Sequence, residues 1–174
     1  MTKSVVGMFC EDIRAEKSGA FTLVGIMPDN VRVPVAPTPD QHGMIPKLCV
    51  YIRINLDSAT PIKTISTKVH LPDGNVLDLG NVAPNIIEKA FEGTLEKGSP
   101  LATIVLRAEF PAFPVTTLGR IFAKVTVDDE EFIAAQLKLA SGPETNDPAV
   151  EDVRHYSQMI KVGGPTTPTE PPPS

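Results

Sequence analysis

The chain has 174 residues, of which 41% are hydrophobic and 21% charged, and it carries a net charge of −5. A chain of this length and composition can bury roughly 70% of its unfolded surface in one domain, which excludes an intrinsically disordered protein. The acidic balance argues against a surface that tracks phosphates, because nucleic-acid affinity rests on clustered Lys and Arg that displace counterions, so no nucleic-acid partner is expected.

The first ten residues hold Lys3 and only about six apolar residues before Glu11 and Asp12 interrupt, too few for the apolar region of a secretion signal. No later run reaches the ~18 apolar residues of a spanning helix, so the expected location is the cytoplasm, with no membrane partner. Residues 4–14 and 20–26 are apolar, β-rich runs around a polar segment that ends in Gly19, the pattern of a hairpin. Cys10 lies inside the first run and Cys49 inside a later one, far from metal-ligand spacing. In a reducing cytoplasm this predicts two buried thiols, with one disulfide between neighbouring strands as the alternative.

Further along, Leu48, Val50, Ile52, Ile54 and Leu56 alternate with Cys49, Tyr51, Arg53 and Asn55, the period of a half-buried strand. Residues 63–71 repeat it, with Ile65, Val69 and Leu71 inward and Thr64, Ser66, Lys68 and His70 toward water. The turn Pro72-Asp73-Gly74-Asn75 returns the chain into residues 76–80, a second hairpin. Residues 84–92 place Ile87 and Phe91 four apart and predict a short helix or loop, which Gly93 and Gly98 fragment. Residues 101–110 alternate again and are expected to stop at Pro111 and Pro114, which deny ladder donors, so that a loop follows.

The clearest hairpin joins Ile121, Ala123, Val125 and Val127 to Ile133, Ala135, Leu137 and Leu139 through an acidic turn, all eight facing the core. Phe122 and Phe132 then fall on the opposite face, to fill a second interface against a C-terminal helix or a partner, or to be buried because an inner strand is covered on both sides. The helix is expected over 147–160, with Asp147 as its cap and Pro148 at its first position. From Gly163 the composition is that of a disordered or polyproline-like tail. The fold class is therefore all-β: an antiparallel β-sandwich of about eight or nine strands, with a closed barrel as the alternative. The domain covers residues 1–142, the linker and short C-terminal helix 143–162, and the disordered Pro-rich tail 163–174.

Two charged groups invite a functional reading. Glu11, Asp12, Arg14 and Glu16 surround the end of the first strand, where paired carboxylates could do acid–base work, but charges at a hairpin end ordinarily pair and face water. Asp128, Asp129, Glu130 and Glu131 form the densest acidic run and are the Ca2+ candidates, with Asp29, Asp40, Asp57 and Asp73 as loop acids that would have to complete six to eight oxygen ligands. The solvated-turn reading is the simpler one. His42, His70 and His155 lack a zinc spacing, no serine sits in a Gly-x-Ser-x-Gly turn, and the glycines match no phosphate-binding loop. No catalytic residue, metal or cofactor is assigned.

Phe9-Cys10-Glu11-Asp12-Ile13-Arg14, followed by a glycine turn and Leu23-Val24-Gly25-Ile26, resembles the opening of a family of small uncharacterised bacterial proteins of unknown function. Its members have Phe-Cys-(Asp/Glu)-Asp-Ile-Arg at this place and a closing hairpin similar to residues 119–139. The resemblance implies a β-sandwich and supplies no catalytic residues. The leading expectation is thus a non-enzymatic interaction or structural module whose partner is other protein, further copies of itself included, as in a homo-oligomer or a self-assembling or phage-derived particle. Asp12, Arg14, Phe122 and Phe132 are its candidate interaction residues. A Ca2+- or small-ligand-binding sandwich is the alternative, and a hydrolase without a local motif the third reading.

Overall fold

The computed structural model describes residues 3–33, 37, 42–96 and 98–142. These form nine strands and one helix: β1 (Lys3–Ala15), β2 (Phe21–Ile26), β3 (Asn30–Val33), β4 (Gly43–Asp57), β5 (Ile65–His70), β6 (Val76–Asn81), α1 (Pro84–Glu96), β7 (Leu101–Val115), β8 (Gly119–Val127) and β9 (Glu130–Ser141). The expected helix over 147–160 and the tail from 163 lie outside the described residues.

The strands make a sandwich, one sheet in the order β2-β1-β4-β7 and the other β3-β9-β8-β5-β6. Period-two alternation along β4 aims Leu48, Val50, Ile52, Ile54 and Leu56 at Ile65, Val69, Ile121, Val125 and Leu137 of the facing sheet, all at most 1% exposed. Fully burying one such aliphatic side chain contributes roughly 1.5–3 kcal/mol, so this shared layer is what holds the two sheets together. All pairings are antiparallel except β3 with β9, where Asn30–Val33 runs beside Lys138–Ser141. With only Val31 and Val33 facing in, β3 is too short to show a period, and the sequence gave no warning of it.

The two sides of the sandwich are closed differently. On one side α1 joins the edge strands β6 and β7 and puts Ile87 and Phe91 into the core, 3% and 7% exposed. Pro84 opens the helix, where a missing N–H costs nothing. The helix continues past Gly93, which the sequence reading had expected to break it: the burial of Phe91 and Thr94 offsets the roughly 1 kcal/mol penalty of a mid-helix glycine. On the other side β1 before Cys10 pairs only with β4, and β9 before Lys138 only with β8. There the sheets converge without a ladder. A Cβ on Gly7 would stand 3.0 Å from the Tyr51 carbonyl oxygen and 3.2 Å from that of Ala134, so this near-closure requires glycine.

Two further expectations are corrected. β7 does not stop at Pro111 but runs to Val115, paired with β4 down to Gly43. As an edge strand it needs donors on one flank only, and Ala112, at φ 51°, shifts the alternation so that Phe113 and Val115 return to the core. In the last hairpin the ladder slips between Ala123 and Lys124, pairing Ala123 with Ala135 but Lys124 with Ile133. The bulge reverses the phase: Phe132, opposite Val125, packs on the core, and Ile133 stands outside, 57% exposed. Phe132 therefore needs no second interface.

Candidate functional site

The strand that carries the N-terminal signature divides its side chains between three environments. Phe9 enters the core between the sheets. Cys10 and Ile13 join Cys49 in a small apolar cluster on the outer face of the four-stranded sheet, under Phe21, Leu23 and Tyr51. The Phe21 and Tyr51 rings tilt against each other at 6.1 Å, and the Arg107 guanidinium lies 5.2 Å over Phe21. Desolvation pushes both thiols up, Cys49 to about 11, so neither is a nucleophile at neutral pH.

Charge is arranged across the same face. Lys47 donates to Asp12 and lies 2.9 Å from a Glu109 oxygen, while Arg14 Nε donates to the other Asp12 oxygen at 3.1 Å. Asp12 and then Glu109 raise the Lys47 ammonium, and Lys47 followed by Arg14 lowers the Asp12 carboxyl. Asp12 and Arg14 are thus brought together, as a surface network that pins three strands of this sheet. Such a network positions strands more than it stabilises them. Gly25, at φ 60°, lets the Glu11 side chain lie against the β2 backbone.

The acidic turn does not gather its carboxylates. One Asp128 oxygen accepts the backbone N–H groups of Lys63 and Thr64 at 2.9 and 3.0 Å, and these bonds hold its carboxyl below the usual range. Glu130 pairs with Lys3 at 3.2 Å and Glu131 with Lys124 at 2.7 Å. Asp129 shares none of these bonds. Each partnered acid serves a different neighbour, and no group of three His, Cys, Asp or Glu side chains converges on a metal position among the described residues. Ca2+ binding at this turn would have to break the Asp128 bonds that tie it to the start of β5.

Phe122 remains on the outer face, as the sequence suggested, and there it lines an open groove of about 530 Å3 on the five-stranded sheet. Pro72, Leu118 and Ile133 supply the other apolar surface, and His70, Arg120 and Lys124 the polar groups. Register explains the assembly: Phe122 stands between His70 of β5 and Gln136 of β9, and Lys124 between Lys68 and Ile133. The outward orientation of Lys68 and His70 was legible from alternation. Their adjacency to Phe122 was not, because it depends on β5 pairing with β8 across a long separation in the chain.

A β-sandwich with a helix plugging one side and an outward groove defines the class of this protein. Residues 5–140 match the model of a family described as a family of unknown function (DUF6941), and the chain belongs to that family. No individually curated protein matches it. No helix among the described residues is long and apolar enough to cross a membrane.

Proposed function

We propose that this protein is a non-enzymatic interaction module of the cytoplasm, and that the outer face of the five-stranded sheet is its contact surface. The observation that carries the reading is the groove at Phe122: a half-buried aromatic ring beside Ile133, which is 57% exposed, on paired strands that cannot fold over to cover them. Apolar side chains presented on a rigid sheet suit a protein partner, because binding there orders little new backbone. The buried, unpaired thiols of Cys10 and Cys49 support a reducing compartment.

The test is a photo-cross-linking amino acid placed at Phe122 in cells, against the same group at Thr103 on the outer face of the four-stranded sheet. Discrete protein adducts from position 122 and none from 103 are expected. Adducts to a second copy would assign the surface to self-assembly, and equal labelling at both positions would remove this face as the contact surface.

A further inference from the structure

Around the groove the sheet places like charges directly opposite one another. Lys124 of β8 is the cross-strand partner of Lys68 of β5, and Arg120 of β8 that of Lys138 of β9. Directly opposed like charges destabilise a sheet, yet two such pairs occur on one face of an acidic chain. The carboxylates on this face are Glu131, which Lys124 engages at 2.7 Å, and Asp78, whose oxygen accepts the Gly80 N–H. Among the described residues, Lys68, Lys138 and Arg120 make no ion pair. Between the two cationic pairs lie Phe122 and His70.

We infer that the groove receives an acidic peptide segment of a partner protein, with an aliphatic or aromatic side chain seated against Phe122 and carboxylates over Lys68–Lys124 and Arg120–Lys138. This rests on the groove being the contact surface and adds the chemistry of what fills it. Carboxylates laid across both pairs relieve a repulsion that the free sheet has to bear, and the apolar floor supplies an anchor that charge alone lacks. A nucleic acid suits the site less well: one ring offers no stacking series, and acids elsewhere on the chain repel phosphates at range.

The experiment is selection of a random-peptide phage library on the full chain, followed by anisotropy titrations of the selected peptides and of poly(U) RNA. Peptides with Asp or Glu clustered beside an apolar residue are expected, binding about tenfold more weakly to Phe122→Ser and to Lys68→Thr/Lys138→Thr. The double variant should melt no lower than the parent, since it removes both repulsions, and this separates lost binding from lost folding. Selection of neutral or basic peptides, selection of none, affinity indifferent to these variants, or equally tight poly(U) binding would overturn the inference. So would a dimer in light scattering that Phe122→Ser abolishes. If cross-links from position 122 persist while the selected peptides lack acids, the charge assignment fails and the contact surface stands; if the cross-links are absent, the surface itself fails.

Discussion

Cys10 and Cys49 face each other directly across the β1–β4 ladder, and both are buried free thiols. Their register brings together two residues 39 positions apart (49 − 10), which settles them as one packing unit with Ile13 rather than two separate core thiols. The Cys49 Sγ donates to the Glu11 carbonyl oxygen at 3.5 Å, so the pair also touches the backbone of the signature segment.

Both thiols should therefore resist a charged thiol reagent in the native protein and react fully only on unfolding. The pH dependence follows from the Cys49 thiol, whose pKa rises from 9.0 to about 11 in the fold. Between those values the unfolded chain has lost a proton that the folded chain retains, so stability falls as pH climbs through that window. Urea titrations at a series of alkaline pH values check this: the midpoint should drop more steeply for the parent than for Cys49→Ala. Equal slopes would mean that the thiol is solvated.

The convergence of the sheets at Gly7 gives a second prediction. A methyl group there meets the carbonyl oxygens of Tyr51 and Ala134, backbone atoms of both sheets that cannot rotate away. Gly7→Ala is expected to destabilise by roughly 1–3 kcal/mol, as overpacking does, although alanine outranks glycine in strand propensity. At Gly93, where a Cβ meets nothing within 4 Å, the same substitution should stabilise α1 by up to about 1 kcal/mol. Denaturant melts of the two variants should move in opposite directions.

Much of this architecture was legible because burial on one face imposes a period. The strands at residues 48–56 and 63–71, the turn at Pro72-Asp73-Gly74-Asn75 and the final hairpin all declared themselves through alternation and turn chemistry. What stayed hidden was set by the partner strand. Nothing local marks the ladder slip after Ala123, yet it exchanges the roles of Phe132 and Ile133. The prolines of β7 read as a terminus because their tolerance comes from an edge position, a property of the sheet and not of the segment. The groove was half visible, as an off-phase Phe122, and needed the β5–β8 register to acquire its cations.

The bulge can be read by mutation. Phe132→Ala should lose roughly 1.5–3 kcal/mol, less than a fully buried phenylalanine because the ring is only partly covered, whereas Ile133→Ala should change stability by less than about 0.5 kcal/mol. Uninterrupted alternation through the hairpin gives the reverse order. Thermal melts of the two single variants decide between them, and an Ile133 loss larger than the Phe132 loss would show that the ladder does not slip here.

Thr67 is the one core position where the fold leaves a polar atom unmatched among the described residues. It faces inward, 5% exposed, opposite Val125 of β8 and Gly80 of β6, and its Oγ1 has no hydrogen-bond partner. A buried hydroxyl left without a partner costs about 1–3 kcal/mol, whereas valine has nearly the same shape and no such demand. Thr67→Val should therefore raise stability by ~1 kcal/mol and Tm by roughly 2–6 °C. Thr67→Ser keeps the hydroxyl and deletes the methyl group, so it should destabilise by about 1 kcal/mol through the small cavity it opens. The pair isolates the polar atom: if valine lowers Tm as much as serine does, the hydroxyl is engaged in the native protein and the strand does not bear the penalty assigned to it. The gain should come with an unchanged urea m-value, because the substitution alters neither the surface buried nor the ladder on either side of the β5 irregularity at Thr67 and Lys68.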